Sequence, residues 1–191
     1  MLYTRKGDNG TTADFNSKSG DRKSKSSCQT ESLGALDELN SFLGLVKVKS
    51  ATISWKLPVR FDDVGSNLSE VIGAVQNNLF SVQAEIAGAD KRVSQSRTSE
   101  MEDLIDAIEK ELPPIKTFFV SGGTELAAML DVSRTLARKA ERRVVAGMEQ
   151  KEFMIEPATL SFLNRLSSLL YALARLTNHK SGINESAPTY N

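Results

Sequence analysis

The sequence predicts an all-α protein: a five-helix bundle with a four-helix-bundle-like core and an irregular N-terminal segment. Three observations favour this fold class. Apolar residues recur at intervals of three and four in separate stretches, glycine or proline residues mark several boundaries between them, and strand signals are few. A chain of 191 residues is long enough to bury its own core, so we expect a single domain.

The first 28 residues are polar and lack apolar periodicity, so they predict loop and short extended structure. The first helix follows, with its apolar positions at Leu33, Leu36, Leu39, Leu43 and Val46. The second helix shows the same spacing at Val64, Leu68, Val71, Val75, Leu79, Val82 and Ile86, and Gly88 stands where it should stop.

The third helix has clear predicted boundaries. Ser99 and Glu102 have the spacing of a capping box, in which the two side chains satisfy free backbone N–H groups at a helix start. The Pro-Pro pair beginning at Pro113 ends the helix, because proline lacks an N–H and clashes with the preceding turn.

Two further helices complete the predicted bundle. The fourth is expected over residues 124–148, after a Gly-Gly pair, and the fifth over 157–180, with a proline in its first turn. The helical bundle then covers residues 29–180, and residues 181–191 are expected to form a flexible tail.

Composition excludes several classes of function. Lys and Arg total 24, as do Asp and Glu, so no bulk charge favours nucleic acid or an anionic membrane. Cys28 is the single cysteine, which excludes an intrachain disulfide, and no Cys/His spacing predicts a metal site. No apolar run approaches the roughly 20 residues of a membrane span. We expect a soluble, cytoplasmic protein, with removal of a targeting segment from a longer precursor left open.

A charged stripe on the fourth helix is the strongest candidate site. At about 100° per residue, a quarter-turn holds Arg134, Arg138, Glu141 and Arg142, beside the apolar face. Lys139 and Arg143 point elsewhere and suit a solvated face. Arginine's planar fork holds phosphate oxygens at two points, so the stripe predicts a polyanion clamp. A surface ladder of salt bridges explains the spacing equally well.

Two neighbouring helices add polar candidates. On the fifth helix, one edge carries Asn164, Ser168, Tyr171 and Arg175. This edge could contact a nucleotide or ribose, or it could be plain helix surface or a subunit contact. On the first helix, Asp37 is expected close to the packed face and therefore needs a cationic partner. An arginine of the fourth helix, from the same chain or another subunit, is the candidate.

Five segments in order resemble one family. "YTRKGDNGTT" resembles a T-x-x-G-D-x-G-x-T signature, "SRTLARKAERR" an R-T-x-x-R-R-A-E-R signature, and "FLNRLSSLLYALAR" an F-L-N-R-L-S-D segment. "GALDELNS" and "FFVSGGTELAAML" also match. The family is the PduO-type ATP:cob(I)alamin adenosyltransferases, and the resemblance covers nearly the whole chain. It implies a homotrimeric five-helix bundle with active sites between subunits, and transfer of the 5′-deoxyadenosyl group of ATP to the Co(I) of a reduced corrinoid with release of triphosphate.

The resemblance also implies roles for individual residues. The ATP-holding N-terminal segment would contain Tyr3, Thr4, Gly7, Asp8, Gly10, Thr12 and Lys25. Arg134 would pair with Asp37 across the subunit interface. The surroundings of the nucleotide would include Arg138, Glu141, Arg142 and Asn164. Phe118 would hold the corrinoid without its lower axial ligand. Ser168 stands where the family usually has aspartate, and Lys139 where a second arginine is common.

The implied ligands are ATP, a corrinoid such as cob(I)alamin, and Mg²⁺ accompanying the triphosphate. An electron-donating reductase and an adenosylcobalamin-dependent enzyme are the implied partners. A non-catalytic carrier of corrinoid or nucleotide on the same bundle remains the alternative. Retention of both the G-D-x-G segment and the arginine stripe favours turnover, because a corrinoid carrier would not need a triphosphate clamp.

Overall fold

The computed structural model describes residues 3–13, 21–61 and 64–190. Over these residues the chain forms five helices: α1 (Cys28–Ser50), α2 (Leu68–Ile86), α3 (Gln95–Glu111), α4 (Glu125–Glu149) and α5 (Pro157–Lys180). One small antiparallel sheet joins β1 (Thr11–Thr12) to β2 (Lys23–Ser24). The predicted all-α five-helix bundle is confirmed. None of the described helices has the length and apolar character needed to cross a membrane.

The start of α1 agrees with the prediction to within one residue, whereas the start of α2 differs from it. α1 begins earlier than its apolar pattern, because Ser27 caps it by accepting a hydrogen bond from the Thr30 backbone N–H. α2 begins at Leu68 rather than near Val64, and Phe61 and Gly65 form an isolated β-bridge before it.

The predicted capping box of α3 is wrong. The helix starts at Gln95 with Ser94 as the N-cap, so Ser99 lies inside it. The reason is that the first turn of α3 is mostly polar, and the apolar pattern becomes regular only at Met101 and Leu104, which are fully buried. An apolar pattern locates the packed part of a helix and misses a polar first turn.

The helices are neighbours in the spatial order α2, α1, α4, α5, α3. Each supplies one apolar face to a common core, whose fully buried members include Leu36, Leu43, Ile72, Leu79, Leu104, Leu130, Phe162 and Leu170. In this order α4 lies between α1 and α5. Its two flanks therefore face different helices, and this determines which side chains each of its charged residues can contact.

Backbone hydrogen bonds form in both terminal regions of the described chain. At the N-terminal side, the Lys25 N–H donates to the Gly10 carbonyl at 2.9 Å, next to the β1–β2 pair. At the C-terminal side, the Val120 N–H donates to the Ser186 carbonyl at 2.8 Å, and the Ile183 N–H to the Asn178 carbonyl at 2.9 Å. The predicted flexibility of residues 181–191 stays a prediction, and within that tail Ile183 and Ser186 form these two hydrogen bonds.

Candidate active site

The two flanks of α4 have different roles. Facing α1, Lys139 forms an ion pair with Glu38 at 2.5 Å, and Arg143 approaches Glu31 at 3.7 Å. These pairs are exposed, as expected for the solvated side of the helix. The predicted stripe lies on the other flank, toward α5.

A cavity of about 650 Å³ opens between α4, α5 and the segment of residues 113–122, which we call the Phe118 loop. Its apolar wall includes Phe118, which is 81% exposed, together with Ile115 and Val120. Its polar wall contains Arg134, Arg138, Asp131, Ser168, Tyr171, Arg175 and Glu185. A large apolar surface facing a few cationic groups suits a bulky, partly apolar ligand that carries negative charge.

Arg134 is fixed within its own helix. Its Nε donates to Asp131 Oδ1 at 2.5 Å, and its guanidinium lies 5.9 Å from the centre of the Tyr171 ring. Burial raises the pKa of the Asp131 carboxyl, but hydrogen bonds from Arg134 and Ser121 and the charge of Arg134 outweigh burial and hold that pKa below its usual value. Asp131 is therefore ionised at neutral pH and orients Arg134.

Tyr171 adds a neutral hydrogen-bonding group to this wall. Burial raises the pKa of its hydroxyl above the usual value for tyrosine. The hydroxyl therefore stays protonated at neutral pH and can both donate and accept a hydrogen bond. Contacts within one chain therefore fix the orientation of Tyr171, Arg134 and Asp131 on the polar wall of the cavity.

The position and contacts of Asp37 within one chain differ from those that the sequence predicted. It is exposed rather than close to the packed face, because Leu36 and Leu39 already occupy the core-facing positions of that turn. No ion pair involves Asp37 among residues 3–13, 21–61 and 64–190, and Arg134 is paired elsewhere. The intrachain form of the predicted pair is wrong, while the form between subunits stays a prediction.

The structure joins two other predicted residues directly. Asn164 on α5 donates from Nδ2 to Glu141 Oε1 on α4 at 2.9 Å. Farther round the stripe, Arg138 and Arg142 are exposed, and neither has an ion-pair partner in the described part of the chain. Arg138 faces the cavity. Among the described residues, the stripe therefore includes two guanidinium groups without a carboxylate partner, unlike the salt-bridge ladder that was its alternative.

The predicted site residues of the N-terminal segment lie together in a second cluster. A β-carbon placed on Gly7 would lie 3.1 Å from Lys25 Nζ, so glycine allows the lysine to approach the backbone of the G-D-x-G turn. Gly10 has a φ of 78°, a left-handed conformation that favours glycine. Tyr3, Thr4 and Asp8 are exposed on this turn. Only the family resemblance assigned Lys25 to this segment. In the structure Lys25 lies beside the G-D-x-G turn.

Thr12 connects this segment to α1. With Asp37, Thr30, Gly34 and Gln83 it lines a second hollow of about 410 Å³. Among the described residues, this hollow and the cavity beside Phe118 have no lining residue in common. The predicted site residues therefore fall into two groups: the N-terminal segment with Asp37, and the α4–α5 surface with Phe118.

Sequence reasoning missed several cavity residues. Asp131 lies three positions before Arg134, a spacing at which helix residues commonly pair, so the signal was present. Arg175 was placed on a polar edge, yet it is buried and bonded to Glu185 at 2.8 Å. No sequence pattern indicated Glu185.

Among the described residues, no group of three or more His, Cys, Asp or Glu side chains is arranged to hold a metal ion.

Comparisons with known proteins give one consistent result. A family model described as cobalamin adenosyltransferase matches residues 2–177. The chain is 38% identical to a corrinoid adenosyltransferase of Bacillus subtilis (strain 168), over 96% of this chain and 90% of that protein. It is 34% identical to the corrinoid adenosyltransferase PduO of Citrobacter freundii over 93% of this chain, and spans 50% of that protein.

A solved structure agrees with the sequence matches. It is a variant PduO-type ATP:corrinoid adenosyltransferase from Lactobacillus reuteri, complexed with cobalamin and ATP. The TM-score is 0.83 at 28% identity, with 100% of both chains covered. The family expected from the five motifs is confirmed: the chain belongs to the cobalamin adenosyltransferase family.

Proposed function

We propose that the protein transfers the 5′-deoxyadenosyl group of ATP to the Co(I) centre of a reduced corrinoid, forming adenosylcobalamin or its analogue and releasing triphosphate. The observation that carries the proposal is the position of Arg138. It lines a cavity that the apolar residues of the Phe118 loop also line, and the described residues offer it no carboxylate partner. An unneutralised guanidinium beside a broad apolar wall matches a substrate pair of polyphosphate and corrinoid.

The chemistry places few demands on the protein. Co(I) donates an electron pair to C5′ of the ribose, the C5′–O5′ bond breaks, and its electrons leave on the triphosphate oxygen. Cobalt becomes formally Co(III), and no proton moves at this step. The protein has to align C5′ with cobalt and stabilise the charge on the departing oxygen. Arg138 is the proposed residue for the second task, and Arg142 extends its positive charge along α4.

The Glu141–Asn164 pair serves the nucleotide. Asn164 uses one N–H for Glu141, and its Oδ1 accepts from Arg165 Nη1 at 3.0 Å, which leaves the amide oriented on the edge of α5 with its second N–H available. We propose that this amide contacts the ribose or base and that Glu141 fixes its orientation. Mg²⁺ would arrive bound to the triphosphate, since no carboxylate cluster among the described residues is arranged to hold the ion.

We propose that complete sites form between subunits of a homotrimer. The support is the separation of the two groups within one chain: Thr12 and Asp37 line one hollow, and Arg138 and Phe118 another. A neighbouring subunit could bring its Asp37 and N-terminal segment to the arginine stripe. Arg134 can join such a pair, because its contact with Asp131 uses Nε and leaves the Nη groups of the guanidinium fork available for a second carboxylate.

Phe118 is proposed to cover the lower face of the corrinoid. Water or the corrinoid's own base bound to cobalt stabilises Co(II) and makes reduction to Co(I) harder. An aromatic side chain that excludes both eases formation of the nucleophile. A reductase must supply the electron that converts Co(II) to Co(I). We also propose that the protein is located in the cytoplasm. The product would serve an adenosylcobalamin-dependent enzyme.

A single-turnover assay tests the proposed function. Chemically reduced cob(I)alamin is mixed anaerobically with the protein and MgATP, and adenosylcobalamin is followed by its absorbance. Stoichiometric product is expected. Failure to form it, in a folded protein that still binds ATP, would reject the enzyme and favour the carrier. Repeating the assay with incomplete corrinoids identifies the preferred substrate.

A further inference from the structure

Arg175 occupies an unusual place for a charged residue. It lies on α5 among apolar neighbours and is 5% exposed. Leaving a guanidinium there without partners would cost several kcal/mol, so its contacts define its role. Nε donates to Glu185 Oε2 at 2.8 Å, and Nη2 donates to the Pro113 carbonyl at 3.1 Å. The guanidinium also lies 5.0 Å from the centre of the Phe119 ring.

These contacts connect two segments that have no helix or strand of their own. Glu185 belongs to the C-terminal segment, residues 182–186, while Pro113 and Phe119 belong to the Phe118 loop. Arg175 therefore binds both segments from α5. A single side chain joins the tail, the loop and the bundle.

Backbone and amide hydrogen bonds reinforce the same connection. The Val120 N–H donates to the Ser186 carbonyl at 2.8 Å. Asn178, one turn beyond Arg175 on α5, donates from Nδ2 to the Gly122 carbonyl at 2.9 Å. The loop is thus held at its start, next to Phe118, and at its end, whereas Phe118 itself is 81% exposed and free to contact a ligand.

We propose that the Arg175–Glu185 ion pair acts as a latch, which fastens the C-terminal segment to the Phe118 loop and thereby positions Phe118 against the corrinoid. Arg175 and Glu185 are positioning residues in this scheme, since they act through Phe118. The positioning step rests on the proposed function, whereas the latch itself is a statement about the protein alone. Loss of the latch frees the loop and affects corrinoid binding selectively.

Glu185→Gln is the variant that tests the latch, because it keeps the side-chain shape and removes the charge. The matched control is Glu111→Gln, which removes another ion pair of α5, that with Lys180, outside the cavity. Thermal melting and size-exclusion chromatography establish that both variants fold. Should Glu185→Gln not fold, Arg175→Lys replaces it, since lysine keeps the charge but loses the two-point contact.

The first measurement needs no substrate. Chymotrypsin cleaves after aromatic residues, so cleavage at Phe118 and Phe119 reports how firmly the loop is held. Glu185→Gln should be cleaved at least about 10-fold faster there than the wild type or Glu111→Gln, as expected when a buried charge-assisted hydrogen bond is replaced by a neutral one and the Arg175 charge is left uncompensated. Equal cleavage of all three proteins would overturn the latch.

The second measurement tests the positioning of Phe118. Glu185→Gln should raise the KM for the corrinoid about 10-fold or more, leave the KM for ATP unchanged, and lower the fraction of four-coordinate cob(II)alamin seen spectroscopically. Glu185→Asp should restore part of that fraction. Parallel changes in both KM values, or an unchanged spectrum, would overturn the positioning role. Absence of product from the wild type would instead reject the proposed function, and the cleavage result would still decide the latch.

Discussion

Arg134 is bonded to Asp131 of its own helix, with 2.5 Å between Nε and Oδ1. Sequence similarity predicted a different carboxylate, that of Asp37. The two partners are compatible, because an arginine presents five N–H donors and Asp131 uses only the Nε side of the fork. Asp131 then orients the guanidinium within one chain, and Asp37 of a neighbouring chain could bind the remaining donors.

This division of roles predicts that the two aspartates affect different properties. Asp37→Ala should weaken subunit association by about 2–5 kcal/mol per contact, as expected for a charge pair across an interface. Asp131→Asn should weaken association less than Asp37→Ala, because both charges of the Arg134–Asp37 pair remain, and it should reduce turnover, because Arg134 also lines the cavity and loses its orientation there. Sedimentation equilibrium and the adenosylation rate separate the two effects.

A double-variant cycle checks the interface pair. Combining Asp37→Ala with Arg134→Ala should cost less than the sum of the single changes, because each single change already breaks the pair. Strict additivity of the two association defects would contradict the pair.

Arg138→Ala should lower turnover severely while the oligomer persists. The guanidinium faces the cavity and has no carboxylate partner in the described ranges, so its charge is available to the triphosphate. Loss of one such contact to a charged transition state costs about 100- to 1,000-fold in kcat. Rates are measured with saturating MgATP and cob(I)alamin.

Lys139→Ala is the comparison for Arg138→Ala. Lys139 is the next residue, but it points to the opposite flank and forms an exposed pair with Glu38. Such pairs contribute less than about 1 kcal/mol, so activity should stay close to wild type. Similar losses in both variants, or dissociation of Arg138→Ala into monomers, would indicate a structural role for the arginine.

The sequence predicted the stripe of α4 because helical geometry alone fixes the angular position of each residue. The family resemblance implied that Asn164 and Glu141 both surround the nucleotide, and the structure shows them hydrogen-bonded. The sequence could not predict the hydrogen bond between the C-terminal segment and the Phe118 loop. The bond between Val120 and Ser186 joins backbone groups far apart in sequence, and neither side chain signals it. Contacts of this kind depend on how the whole bundle closes.

The Asp131–Arg134 pair should make stability fall in acid. The folded-state pKa of Asp131 lies below its unfolded value of 3.8, so the pair contributes fully above that value. Its contribution is lost as the pH falls from about 4 through the lower folded pKa. Asp131→Asn should therefore flatten the dependence of the urea unfolding midpoint on pH below about pH 4. An unchanged slope would show that Arg134 does not stabilise the carboxylate.

Gly123 should be intolerant of any side chain. Its φ is 96°, and a β-carbon there would lie 2.3 Å from Asn178 Oδ1. Asn178 cannot yield cheaply, because it is buried and bonded to the Gly122 carbonyl and the Thr124 N–H. Gly122→Ala supplies the comparison, since its φ is 136° but its β-carbon would meet nothing within 4 Å. Backbone strain alone should cost Gly122→Ala about 1–3 kcal/mol. Gly123→Ala should cost a further 1–3 kcal/mol, roughly, by breaking the Asn178 bonds, and urea denaturation of the two variants measures the difference; equal losses would mean that Asn178 moves aside without penalty.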